Sequence, residues 1–118
     1  MVLAVVDDLL FSSKIRAVAD RTGRPTTFVR SRSDVLPQIR ATHPELVIID
    51  LDRATLDPMN VIRDIKAQPD LAQVRVVGFV SHVNADAIAR ARDAGIDLVL
   101  ARSAFVTKLP ELLAMPTA

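Results

Sequence analysis

The chain has 118 residues, the size of one ordinary domain, and we predict a single domain over residues 1–118. Half of its residues are hydrophobic, but they form runs much shorter than the ~20 residues of a membrane-spanning helix. Cysteine is absent, which excludes disulfides, and no secretory signal pattern opens the chain, so we expect a cytoplasmic protein. A formal charge of +1 argues against nucleic acid as the default partner.

Five short apolar runs, rich in β-branched residues, predict five strands. They cover residues 2–6, 25–29, 46–49, 74–80 and 96–100. The runs are apolar nearly throughout rather than alternating, which is typical of strands covered on both faces in a parallel sheet.

The segments between these runs have helical spacing. The first helix should end before Gly23, and the second should begin at Asp34, with Ser33 as its N-cap and Pro37 in its first turn. The three later helices are marked by Met59, Ile62 and Ile65, by Ala85, Ile88, Ala91 and Ala94, and by Phe105, Leu109 and Leu112. Strands alternating with helices predict an α/β fold with one five-stranded parallel sheet and helices on both faces.

Acidic side chains stand where two of the predicted strands end. Asp7 and Asp8 follow the first strand, and Asp50 and Asp52 follow the third. If these strands are neighbours, the carboxylates meet at one edge of the sheet, where open α/β sheets place their functional groups. Clustered carboxylates and an incomplete oxygen cage favour Mg²⁺. The alternative, that each acid merely ends a strand or caps a helix, stays open.

Two further polar residues fall at the same edge. Ser81 ends the fourth strand, and Arg102 comes directly after the fifth. A hydroxyl and a cation there could stabilise the charge that develops on a phosphoryl group.

The order and spacing of these pieces resemble the receiver domains of two-component response regulators, over residues 2–113. The pieces are Val-Val-Asp-Asp at 5–8, Pro-Glu-Leu-Val-Ile-Ile-Asp-Leu-Asp at 44–52, Val-Val-Gly-Phe-Val-Ser at 76–81 and Ala-Gly-Ile-Asp-Leu-Val-Leu-Ala-Arg at 94–102. Intervals of 43, 31 and 21 residues separate Asp7, Asp50, Ser81 and Arg102 in turn, and they agree with the family as well.

The resemblance implies a flavodoxin-like receiver fold with strand order 2-1-3-4-5. It places Asp50 where the family has its phosphoacceptor, which becomes an acyl phosphate. It also implies an Mg²⁺ ion held by Asp7, Asp8 and Asp50, with the backbone carbonyl of Asp52 as a further ligand.

The resemblance also assigns the remaining site positions, several of which depart from the family. Ser81 matches the switch hydroxyl, and Arg102 stands where the family has a lysine. Ser103 replaces the proline of a cis peptide, so we expect a trans bond there. Val99 replaces the aromatic switch residue, and His82 stands where a small residue usually admits the phosphodonor. Residues 53–55 replace the family's Met-Pro-Gly stretch.

By resemblance, the chain is a stand-alone receiver of a phosphorelay and not an enzyme beyond self-phosphorylation. Its partners would be a histidine kinase or phosphotransfer protein and a downstream protein, with no output domain present. The departures leave open a phosphorylation-independent docking module.

Residues 84–110 are a candidate homodimer face, on which charges alternate. It carries Ala89, Arg90, Arg92, Asp93 and Lys108.

Two other function classes are less well supported. Residues 47–52 resemble the strand and Asp-x-Asp of haloacid-dehalogenase-type phosphatases, but Thr55 lies one residue too far along, and two predicted strands already precede the motif. Seven basic residues between Lys14 and Arg40 could form a nucleic-acid face, yet they lack interleaved aromatic residues and fit a solvated surface better.

Overall fold

A computed structural model describes residues 1–81 and 85–114, in which strands and helices alternate along the chain. The elements are β1 (Val2–Val5), α1 (Leu9–Thr22), β2 (Thr26–Val29), α2 (Val35–Thr42), β3 (Leu46–Asp50), α3 (Pro58–Ala67), β4 (Arg75–Val80), α4 (Ala85–Ala94), β5 (Leu98–Ala101) and α5 (Arg102–Ala114). Short 3₁₀ turns cover residues 32–34, 54–56 and 69–71. In the described part of the chain, no helix combines the length and the hydropathy of a membrane span.

The five strands form one parallel sheet in the order β2-β1-β3-β4-β5. This confirms the predicted fold class and strand order. Since β1 and β3 are neighbours, with Val5 opposite Ile49, the acids that follow these strands come to the same edge of the sheet. Asp50 itself lies opposite Phe79 of β4.

The sheet has an apolar cluster on each face, as the continuously apolar strands predict. Helices α2, α3 and α4 cover one face, where they contribute Ile39, Ile62 and Ala91 to the core. Helices α1 and α5 cover the other, where they contribute Ile15 and Leu109. We call the second face the α1–α5 face. The candidate site lies at its edge.

Helix α2 begins differently from the prediction. Residues 32–34 form a 3₁₀ turn, and the α-helix starts at Val35 rather than at Asp34. Ser33 caps no helix, because its hydroxyl is 3.0 Å from the Ser31 hydroxyl instead. The Ser33 hydroxyl thus pairs with a neighbouring side chain and not with the N–H groups at the start of the helix.

Strand β5 begins at Leu98, two residues later than predicted. The N–H groups of Gly95 and Ile96 are bonded to the carbonyl groups of Arg92 and Ala91, which closes α4. Gly95 makes this possible with a φ of 103°, in the region that favours glycine. The apolar Ile96 therefore belongs to the end of the helix, although its side chain looks like that of a strand residue.

Candidate functional site

Asp50 is the last residue of β3, and its side chain is fully buried. Because side chains alternate along a strand, Asp50 shares the α1–α5 face with Ile48. Its Oδ1 accepts a hydrogen bond from the Asp52 N–H at 2.9 Å, whereas Oδ2 has no hydrogen-bond partner in the structure. Burial raises the pKa of this carboxyl, and it outweighs the opposing effects of the Asp52 N–H and of nearby arginines.

Arg102 brings a positive charge to Asp50. It is the first residue of α5 and directly follows β5. Its Nη2 lies 3.9 Å from Asp50 Oδ2, close enough for attraction but too far for a hydrogen bond. The guanidinium lies over the rings of Phe11 and Phe79, at 4.7 and 5.6 Å from their centroids. These cation–π contacts hold Arg102 beside the carboxylate.

The wall behind Arg102 is a cluster of three phenylalanines. The Phe11 ring lies 4.5 Å from that of Phe79 and 5.7 Å from that of Phe105, and Phe79 and Phe105 are stacked at 4.8 Å. Phe79 and Phe105 are both fully buried, and the sequence analysis did not predict that Phe11 and Phe79 also hold the site arginine. Sequence carried no signal for this, because the register that places Phe79 opposite Asp50 is seen only in the structure.

Asp7 is paired with Arg53, a contact that the sequence analysis did not predict. Arg53 Nε lies 2.6 Å from Asp7 Oδ1 as an ion pair, although this oxygen accepts no well-aligned hydrogen bond, and the arginine side chain is half exposed. The pKa of Arg53 is raised, chiefly by this contact with Asp7 and further by the charges of Asp50 and Asp8. The available signal was a basic residue three positions after Asp50, in the loop that also carries Asp52.

Asp8 caps α1. Its Oδ1 accepts hydrogen bonds from the N–H groups of Leu10 at 2.9 Å and Phe11 at 3.2 Å. An extended backbone at Asp8, with φ −76° and ψ 116°, directs the carboxylate to the helix N-terminus. The capping alternative that the sequence left open therefore describes this residue.

Asp52 connects the loop after β3 to the end of β4. Its Oδ2 accepts a hydrogen bond from the backbone N–H of Ser81 at 2.5 Å. The loop after β3 is thus tied to the residue that follows β4. Ser81 is exposed, so its hydroxyl lies at the surface.

The four carboxylates proposed for Mg²⁺ are already engaged with groups of the chain itself. Their partners are Arg53 for Asp7, the N-terminus of α1 for Asp8, Arg102 for Asp50 and the Ser81 N–H for Asp52. In residues 1–81 and 85–114, no three histidine, cysteine or acidic side chains form a group that could hold a metal ion. With Arg53 on Asp7, the acids of the described residues are not arranged as a metal site, and magnesium binding stays a prediction.

The other departures from the receiver pattern can also be placed. The peptide bonds of the described residues are trans, including the one between Arg102 and Ser103. Val99 packs with the core on the α2–α4 side of the sheet, away from Asp50. His82 lies outside the described residues.

Comparison with solved structures gives close matches in fold. A response regulator from Hahella chejuensis has a TM-score of 0.86 at 21% sequence identity, covering 96% of this chain and 91% of the other. The phosphorylated cyanobacterial phytochrome response regulator RcpA has a TM-score of 0.77 at 21% identity, covering 96% and 87%. The Mn²⁺-bound response regulator Rcp1 has a TM-score of 0.79 at 18% identity, covering 98% and 96%.

Comparisons by sequence give no match. No protein-family model matches the chain, and no curated protein matches it. The structural likeness extends over nearly the whole of each chain, and it shows that this chain has the fold of a response-regulator receiver domain.

Proposed function

We propose that this chain is a receiver-type signalling domain of a two-component system, with Asp50 as its phosphoacceptor. One observation carries the proposal: Asp50 Oδ2 is buried, has no hydrogen-bond partner and faces the Arg102 guanidinium. A carboxylate with a purely structural role would have both oxygens satisfied, because leaving one buried and unpaired is costly. A buried carboxyl with a raised pKa at the edge of a parallel sheet is typical of functional sites.

The reaction would be an in-line displacement at phosphorus. Asp50 Oδ2 forms a P–O bond as the P–N bond of a partner's phosphohistidine breaks, and the imidazole leaves with the bonding electron pair. The product is an acyl phosphate on Asp50, which takes one phosphoryl group from the donor. Arg102 stabilises negative charge on the transferred oxygens.

The buried position of Asp50 requires movement before a donor can react. Arg102, whose side chain is one-third exposed, lies next to Oδ2, so its displacement would open the site. The Asp52 contact to Ser81 joins the loop after β3 to a residue that would respond to a new phosphoryl group. Phosphorylation would then bias a two-state surface, and the signal would leave by contact with a downstream protein in the cytoplasm.

Intact-mass spectrometry after incubation with acetyl phosphate tests this proposal. We expect an added mass of about 80 Da on the wild type, and none on Asp50→Asn. Asp52→Asn is the matched control, because it changes a neighbouring carboxylate in the same way and should retain the adduct. Parallel samples with and without Mg²⁺ test the magnesium prediction. If the wild type gains no mass in either sample, the phosphoacceptor role is wrong.

A docking module that works without phosphorylation is the second candidate. The ion pair between Arg53 and Asp7 favours it, since this contact occupies an acid that the receiver resemblance assigns to the metal. A partner would then bind wild type and Asp50→Asn with equal affinity.

The predicted homodimer face, residues 84–110, remains part of either proposal. Its named residues are all exposed, namely Ala89, Arg90, Arg92, Asp93 and Lys108.

A further inference from the structure

The acid pocket consists of Asp7, Asp8, Asp50 and Asp52, and each of these carboxylates contacts an arginine or a backbone N–H group of the chain. The receiver resemblance does not account for one of these groups, Arg53. Arg53 contacts Asp7 directly at 2.6 Å. Its guanidinium also lies within the electric field of Asp50 and Asp8. One side chain therefore interacts with the same three acids that would be expected to share a metal ion.

Competition for Asp7 depends on what else could hold a metal. Asp8 Oδ1 is committed to two N–H groups of α1. Asp52 Oδ2 is committed to the N–H of Ser81. A divalent cation would have to displace the guanidinium from Asp7, and these hydrogen bonds leave it only the second carboxylate oxygen of Asp8 and of Asp52. Mg²⁺ tolerates this poorly, because it demands near-ideal octahedral geometry and gives up its water reluctantly.

The guanidinium is supplied by the chain itself. Arg53 lies in the loop that directly follows Asp50 and Asp52, so it is always present near Asp7 at a high effective concentration. The contact is partly shielded from water, since the Asp7 side chain is only 20% exposed. Arg102 adds a second positive charge, 3.9 Å from Asp50 Oδ2.

We propose that Arg53 is a built-in counter-cation: its guanidinium takes the place against Asp7 that a divalent metal would occupy, and the pocket keeps its shape without metal. This inference deepens the proposed function and rests on it for the meaning of the pocket. Removal of Arg53 should uncover a divalent-cation site that the wild type suppresses.

Mn²⁺ binding, followed by electron paramagnetic resonance, tests the inference in the full chain. We expect Arg53→Ala to bind Mn²⁺ at least about tenfold more tightly than the wild type. Arg63→Ala is the matched control, because Arg63 is an exposed arginine on α3 whose guanidinium donates a hydrogen bond to Asn60 at 3.3 Å. It should bind Mn²⁺ as the wild type does. The double variant Arg53→Ala/Asp7→Asn should lose the gain.

Thermal unfolding with and without Mg²⁺ gives a second readout. A ligand that binds only the folded state raises the unfolding temperature. We expect Mg²⁺ to raise the melting temperature of Arg53→Ala and to leave that of the wild type unchanged. Equal Mn²⁺ affinity in the wild type and Arg53→Ala would overturn the inference, as would an equal response of both to Mg²⁺.

The test gives a result even if the variant does not fold, and it is independent of phosphorylation. If Arg53→Ala does not fold, wild-type Mn²⁺ affinity decides, because a dissociation constant below about 1 mM would show that Arg53 does not keep metal out. No phosphodonor is used in these measurements, so their failure is separable from that of the phosphoacceptor proposal. An Asp50 adduct that forms together with tight wild-type Mn²⁺ binding would refute the built-in cation and support the phosphoacceptor.

Discussion

Replacing Asp50 by asparagine is expected to stabilise the folded protein at neutral pH. The carboxylate is fully buried with one unpaired oxygen. Burying a charge costs several kcal/mol even after the protein relaxes around it. Asparagine has nearly the same shape and keeps an oxygen to accept the hydrogen bond from the Asp52 N–H. The substitution thus removes the charge and keeps the one hydrogen bond that this side chain makes.

The expected size of the effect follows from two opposing contributions. Attraction between Asp50 and Arg102 across 3.9 Å is worth between about 1 kcal/mol in water and about 4 kcal/mol at an effective dielectric constant of 20. Partial exposure of Arg102 places the value toward the lower end. Since the pKa of Asp50 is raised, mainly by burial, desolvation outweighs this attraction. We expect Asp50→Asn to gain about 1 to 2 kcal/mol.

The pH dependence of this gain has a definite sign. The pKa of Asp50 in the folded chain lies above its ordinary value of 3.8, so the folded state holds a proton that the unfolded state has already released. Stability therefore falls as the pH rises from 3.8 to the folded-state pKa, and is level above it. The advantage of Asp50→Asn should be small in acid and complete above the folded-state pKa.

Urea unfolding of both proteins between about pH 4 and pH 8 measures this advantage, and other titrating groups cancel in the difference. At neutral pH, each kcal/mol should raise the melting temperature by about 4 °C. In an Arg102→Ala background the gain should be larger, because the compensating charge has gone. A variant less stable than the wild type at neutral pH, or a gain independent of pH, would refute the reasoning.

Two further substitutions test the local structure by urea unfolding. Asp8→Ala should lose about 1 kcal/mol of stability, while Asp8→Asn should lose almost none because asparagine caps helices equally well; equal losses would contradict the capping role. Gly78→Ala should cost about 1 to 3 kcal/mol by overpacking, since its Cβ would lie 2.8 Å from atoms of both Ile96 and Leu51. Shortening one neighbour with Ile96→Val should recover part of that loss, and a neutral Gly78→Ala would show that this contact relaxes freely.

The fold was predictable because the strands are continuous apolar runs in the sequence. A run such as residues 46–49 is apolar at every position, and only a sheet covered on both faces buries all of it. Strand boundaries moved by one or two residues where backbone hydrogen bonding prevailed over side-chain character, as at Ile96. The strand order came from the receiver resemblance, because apolar runs by themselves do not specify which strands pair.

The site was predictable in part. Strand ends placed Asp50 and Arg102 at one edge of the sheet, and the two side chains do lie 3.9 Å apart. The role of Asp8 depends on backbone angles that direct its carboxylate to α1, and an Asp-Asp pair after a strand is equally compatible with capping or with metal binding. The contact of Arg53 with Asp7 depends on the path of the loop after β3, which includes a left-handed turn at Asp57. Residue spacing carries no information about such a path.

The direct junction of β5 and α5 restricts which insertions and deletions this protein can tolerate. Ala101 is the last residue of the strand and Arg102 the first of the helix, so no loop lies between them to absorb a change in length. One added or deleted residue would rotate the helix by about 100° about its axis. Phe105 and Leu109, now buried, would turn away from the sheet. Length variation between relatives should therefore be absent here and more common in the loop that follows β3.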